Sequence, residues 1–222
     1  MSRKIEKRNA SSERIFLLSP AYAGGRRAQM ILSERAQFEL AKKLRSKGGA
    51  RIAEVFTFLS GLYFRGKIAY ANAFACRGNG DCGVFVITPT RGLVEARSTI
   101  TLSNLREFAT VDIDASDPRY RKPLEQTVRR LAKDLSRDCD VVLLGSIATG
   151  KYVDVFLKYF KERLRFPADF VGRGDMSRGG LMLRCAADRH ELRYISVAGA
   201  ALSGKRPPKL EPRRYPKEWP SS

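Results

Sequence analysis

Residues 140–156, DVVLLGSIATGKYVDVF, decide how the fold is read. Val141 to Leu144 make an apolar run of strand length, too short for a helix. Gly145 ends the run, and Gly150-Lys151 opens a helical pattern. Strand, glycine-bearing turn and helix together are the repeating unit of an α/β sheet. The spacing also nearly matches the phosphate-binding loop of nucleotide hydrolases. That loop needs Ser or Thr after its Lys, because the hydroxyl ligates magnesium, and here the residue is Tyr152. The expectation is a phosphate-facing or purely structural turn with Lys151 as a point charge, and neither a nucleotide motor nor a nucleotide cofactor.

Outward from this unit, RIFLLSP (14–20), GVFVITP (83–89), FATVDID (108–114, weaker) and RLRFP (163–167) read as further strands. Residues 24–49 read as one or two helices, with Met30, Phe38, Leu40, Ala41 and Leu44 as the core stripe. Residues 50–75 read as two helices broken near Ser60-Gly61, and 119–139 as a helix with Leu124, Val128, Leu131 and Leu135 inward. Residues 179–199 fit a hairpin better than a helix followed by a strand. The fold class expected is α/β, a mostly parallel central sheet with helices on both faces. A single domain spans 13–202, after a loose segment at 1–12. Residues 203–222, with six Lys/Arg and five Pro, read as an extended basic arm.

Charge is the outlier in the composition. Against 23 Asp+Glu stand 42 Lys+Arg, a net +19, which calls for an anionic partner, nucleic acid before membrane. No stretch has the roughly 18 apolar residues of a membrane span, and the opening residues lack the apolar core of a secretory signal. The four cysteines lack paired spacing and His190 is the sole histidine, so no metal site is expected. The expectation is a cytoplasmic monomer without cofactors.

Three stretches carry candidate site residues. In FPADFVGRGDMSRGG (166–180), Arg173 and Arg178 flank Asp175 on what reads as a glycine-flexible loop beyond a strand end, where α/β sheets place ligands. Asp175, with Asp169 in reserve, suits a carboxylate that orients water, and the arginines suit phosphates. In GLYFRGKIAYANAF (61–74), Phe64 and Phe74 read as core, while Tyr63, Arg65, Lys67 and Tyr70 read as available to stack bases and hold a backbone. Ser19, Tyr22, Arg26 and Arg27 lie beyond the first strand, at the same expected edge.

IFLLSPA, VFVITPTRGLVEARSTITL and GSIATGKYVDVFL together resemble stretches of the bacterial peroxide-stress DNA-binding protein family. RLRFPADFVGRGDMSRGG is similar to the late strand-Pro-loop of uracil-DNA glycosylase-like folds. The resemblance covers islands between about residues 14 and 180. It implies DNA as partner and, in the glycosylase direction, excision of a modified base in DNA repair or antiviral defence. Its alternatives are a non-catalytic stress or nucleoid protein and a nucleotide hydrolase with a degenerate loop. The chain departs from the uracil enzymes where they carry a His after the late strand and an Asp or Asn after the first: those places hold Phe166-Pro167 and Ser19 to Tyr22.

Overall fold

The computed structural model describes residues 13–77, 83–148, 150–200, 204–205 and 207–212. The segment at 1–12 and the far end of the arm lie outside them. In chain order the elements begin with β1 (Arg14–Leu18), α1 (Arg26–Leu32), α2 (Glu39–Arg45), β2 (Ala50–Arg51), α3 (Ile52–Ser60) and α4 (Leu62–Phe74). Then come β3 (Val84–Thr88), β4 (Gly92–Glu95), β5 (Thr99–Ile100), α5 (Leu102–Phe108) and α6 (Pro118–Asp134). The chain continues through β6 (Asp140–Leu144), α7 (Val153–Phe160), β7 (Leu164–Pro167), α8 (Asp175–Ala187) and β8 (Tyr194–Ser196).

Six strands form one sheet in the order β4-β3-β1-β6-β7-β8, while β2 and β5 pair separately. The four inner strands are parallel and the two edges antiparallel. Parallel strands covered on both faces need apolar side chains at every position rather than at alternate ones. RIFLL, VFVIT and DVVLL meet that demand except at their ends, Arg14, Thr88 and Asp140, and all of β3 is buried. The β1–β6 register pairs Arg14 with Asp140 and runs to Leu18 with Leu144. Both strands therefore end together, and Ser19 sits beside Gly145 at their carboxyl edge; the Ser19 amide donates to the Leu144 carbonyl at 3.1 Å. No helix among the described residues is long and apolar enough to cross a membrane.

The break expected at Ser60-Gly61 is present: Gly61 takes φ 65° and separates α3 from α4. The stripe in α6 is buried at Leu124, Val128 and Leu131. Three expectations are corrected. FATVDID is not a strand. A capping box starts α5 at Thr101, whose hydroxyl takes the Asn104 amide while the Asn104 side chain takes the Thr101 amide, and the helix runs through Phe108. Residues 179–199 are not a hairpin but the body of α8 followed by β8. Gly179-Gly180 looks like a turn in sequence, yet Met182, Leu183, Cys185 and Ala186 are buried at helical spacing, so packing overrides the glycine penalty. In α1 the inward residues are Ala28 and Ile31, whereas Met30 is 51% exposed; Phe38 is partly exposed and stacks on Phe58.

Glycine explains how α4 and α8 meet. A Cβ at Gly66 would lie 2.5 Å from the Gly179 carbonyl oxygen, and one at Gly179 would lie 2.8 Å from the Leu62 carbonyl oxygen. The two helices thus touch backbone to backbone, closer than any larger residue allows. Residues 204–205 and 207–212 adopt no helix or strand. Residues 207–212 run alongside α8: Arg173, just before the helix, donates to the Pro208 carbonyl, and Arg184, in its last turn, to that of Glu211.

Candidate functional site

The carboxyl edge of the sheet gathers a polar cluster from four places in the sequence. Ser19 follows β1. Tyr63 and Lys67, four residues apart on α4, share one face of that helix. Tyr152 caps α7, and Asp175 and Arg178 stand on the first turn of α8. Lys67 is the centre of the cluster. Its Nζ donates to the Ser19 carbonyl at 2.6 Å and to Ser19 Oγ at 2.8 Å, and it sits 4.4 Å from the Tyr63 ring centroid and 4.8 Å from that of Phe64.

Among the described residues Lys67 is the only charged side chain that is buried, at 1% exposure, and it has no ion-pair partner there. Loss of hydration lowers its pKa from 10.5 to about 7, with the Asp175 carboxylate pulling the other way. Tyr63 is buried too; its hydroxyl has no partner at strict hydrogen-bond geometry, but Arg178 and Ser19 lie close enough to make weaker polar contacts with it. Burial raises the Tyr63 pKa, opposed by the guanidinium of Arg178. Arg178 is held in place by two donations to the Phe170 carbonyl, at 3.2 and 2.9 Å, with its guanidinium over the Phe170 ring. Asp175 is exposed at the rim above this group.

Tyr152 accounts for the near-motif. Its hydroxyl accepts the Ser146 amide at 3.1 Å, and a Cβ at Gly145 would lie 2.8 Å from that hydroxyl and 2.8 Å from Ser19 Cβ. The ring is folded back beneath the turn, 5% exposed, and uses an amide that a phosphate loop would present to its ligand. Burial raises the Tyr152 pKa as well. Sequence reasoning read Tyr152 only as a defect in a motif and missed it as a member of the cluster. The signal was available: a tyrosine at the start of a helix, two residues past a glycine, beside a buried strand.

The remaining expected site residues are spread more widely. Tyr63, Lys67 and Tyr70 were expected to be available at the surface, and all three are buried. The reason is the α4–α8 contact, which covers that face of α4. Tyr70 belongs elsewhere: its hydroxyl accepts the Leu192 amide at 2.8 Å and pairs with Tyr194, which donates to Glu191, itself bound to Arg14. Arg65 and Lys151 are exposed. Tyr22 is 71% exposed beside Gly24 and Gly25 at the start of α1. Arg26 and Arg27 are exposed, though Arg27 also ties α1 to the end of α3 through the Phe58 carbonyl at 3.1 Å.

Arg173 bonds the Asp169 carbonyl, Ser177 and Pro208, so part of its donor capacity is spent inside the chain. Asp175 does not sit on a flexible loop but is the first residue of α8. Asp169 instead lines a shallow depression of about 640 Å³ with Arg14, Cys185, His190 and Arg193, to which Asp175 does not contribute. Cys185 lies ten residues along α8 from Asp175, about 15 Å at 1.5 Å per residue. The two candidate carboxylates therefore serve different places.

No metal-binding group of three or more His, Cys, Asp or Glu occurs among the described residues. The cluster offers a buried amine, a serine hydroxyl, neutral phenols, a guanidinium and a rim carboxylate. Such a set can hold a phosphate or sugar and handle a proton, at the edge where α/β sheets bind ligands. Comparison with protein-family models, curated proteins and solved structures found no match, so the functional reading rests on this cluster and on the charge of the chain.

Proposed function

We propose that this chain binds DNA and hydrolyses the N-glycosidic bond of a modified base, using the carboxyl edge of the sheet as its site. One observation carries the reading: Asp175, exposed at the rim, shares its field with the buried amine of Lys67 and stands one helical turn from Arg178. Removal of a base leaves positive charge on the sugar, which a nearby carboxylate stabilises while it orients water. Cations beside that carboxylate hold the flanking phosphates of an extruded nucleotide, and extrusion itself costs a few kcal/mol. The net +19 and the exposed Arg26, Arg65 and Lys151 supply the sequence-independent part of binding.

Two measurements test it. Titration of duplex DNA at rising salt should show affinity falling about a thousandfold from 50 to 200 mM, the loss that goes with roughly six neutralised phosphates. Binding that ignores salt would remove the electrostatic basis of the proposal. Incubation with DNA carrying varied base modifications should then release a free base, read by chromatography.

DNA binding without catalysis is the second reading. It is favoured by the burial of Ser19, Lys67 and Tyr63, which leaves them behind the rim. Absence of base release from every modified DNA, with binding intact, selects it. A nucleotide hydrolase is not proposed, because Tyr152 fills the turn that would cradle the phosphates. The protein should release no phosphate from ATP or GTP with magnesium, and robust turnover, lost in Lys151→Ala, would overturn that statement.

A further inference from the structure

We infer that Lys67 is a nucleophilic amine that attacks the aldehyde of an abasic deoxyribose in DNA, giving the site a strand-cleaving lyase activity beside base removal. This second activity rests on the DNA glycosylase reading, since the abasic sugar it consumes is the product of base removal.

The geometry singles out this amine. It is buried without an ion-pair partner among the described residues, where an ammonium is poorly compensated. Two N–H bonds go to the carbonyl and hydroxyl of Ser19, which orient the nitrogen. Asp175 on α8 is the charged group whose field reaches it; Tyr63 covers it from its own helix, and Arg178 on α8 and Tyr152 at the start of α7 act on Tyr63 beside it. Desolvation places its pKa at about 7, so at neutral pH a large share of the amine is unprotonated and carries a lone pair. A solvated lysine at its usual pKa offers almost none.

Access is governed by Tyr63. Its ring lies over the amine, and its hydroxyl makes no hydrogen bond of normal geometry. Rotation of this side chain toward the rim gives up only its looser polar contacts with Arg178 and Ser19 and uncovers Lys67 on the side where Asp175 is exposed. A carboxylate next to a reactive amine suits a reaction that needs a proton removed from carbon.

The step balances without an oxidant or reductant. The Lys67 lone pair bonds to C1′ of the ring-opened sugar, and the resulting carbinolamine loses water to give an iminium. Asp175 takes the C2′ proton, the C2′–C3′ double bond forms, and the C3′–O bond breaks with its electron pair leaving on the phosphate. Water then hydrolyses the imine, which frees Lys67 and an unsaturated aldehyde.

The test uses a duplex with one preformed aldehydic abasic site, so that base removal is not required. The full chain is incubated with it and sodium cyanoborohydride, and the trapped adduct is mapped by mass spectrometry. The expected result is a covalent adduct on Lys67 that forms faster as pH rises through 7. It should be lost in Lys67→Met and Lys67→Arg and increased in Tyr63→Ala, with duplex affinity measured by gel shift in each. Mapping on the wild-type chain keeps the assignment independent of how well the variants fold. Bound duplex with no adduct, or with an adduct on another residue, overturns the lyase inference and leaves the glycosylase reading standing. Failure to bind the duplex overturns both.

Discussion

Asp175→Asn should slow base release at least about a hundredfold, the usual range for a positioned acid–base group, while DNA affinity stays level or rises. The two outcomes separate because the carboxylate has opposite relations to the two partners. It stabilises positive charge on the sugar in the transition state, but it repels the phosphates that flank it. Asn keeps the shape and removes the charge. Asp175 is the first residue of α8, where a negative charge favours the helix by about 0.3–1 kcal/mol, so the variant should melt slightly lower without unfolding. Single-turnover base release and gel-shift affinity, measured on the same preparation, check the split. Release unchanged in Asp175→Asn would remove this residue from the chemistry. Asp169→Asn serves as the contrast: Asp169 lines the depression with Cys185 and His190, apart from the Lys67 cluster, and its substitution should leave release unaltered.

Gly66→Ala should destabilise the protein by about 2–3 kcal/mol, the cost of forcing atoms into a packed contact. The sign is the informative part. In an exposed helix interior the same change gains about 1 kcal/mol, because alanine is the better helix former. At position 66 the added Cβ meets the Gly179 carbonyl oxygen at 2.5 Å and the Gly179 Cα at 2.9 Å, both backbone atoms with no rotamer to yield. The helices must part. For a chain of this size the loss corresponds to a fall in Tm of roughly 5–10 °C. Gly174→Ala is the control, since nothing lies within 4 Å of its Cβ. Thermal denaturation of the two variants decides; a gain in stability for Gly66→Ala would mean that α4 and α8 are not in backbone contact. Parting these helices also moves Lys67 and Tyr63 away from Asp175 and Arg178, so base release should fall by more than the stability change explains.

How much of this was legible in the sequence can be judged from particular residues. RIFLL, VFVIT and DVVLL announce buried parallel strands, because a strand covered on both faces is apolar along its centre, with polar residues only at its ends, and the period-two alternation disappears. The α3–α4 break at Gly61 and the α6 stripe were equally readable, since each depends on local backbone freedom or on helical spacing alone. The strand-turn-helix at 140–156 placed a turn at the carboxyl edge, and Ser19 with it. The start of α8 was not legible. Its glycines read as part of a flexible loop, and the contact that Gly179 makes with Gly66 and Leu62 lies more than a hundred residues away in the chain. Nor could the chain show that Lys67 is buried. A lysine among aromatics is ordinarily a surface cation, and only the meeting of α4 with α8 removes this one from water. The Lys67–Ser19 bond joins residues 48 apart, and the Asp175 field reaches it from another element again. Local sequence determines which elements form, because strand, turn and cap depend on neighbours in the chain. The charge state of the amine was decided by tertiary structure alone, because a pKa responds to how much water a group has lost and which charges surround it, and both are set by segments distant in sequence.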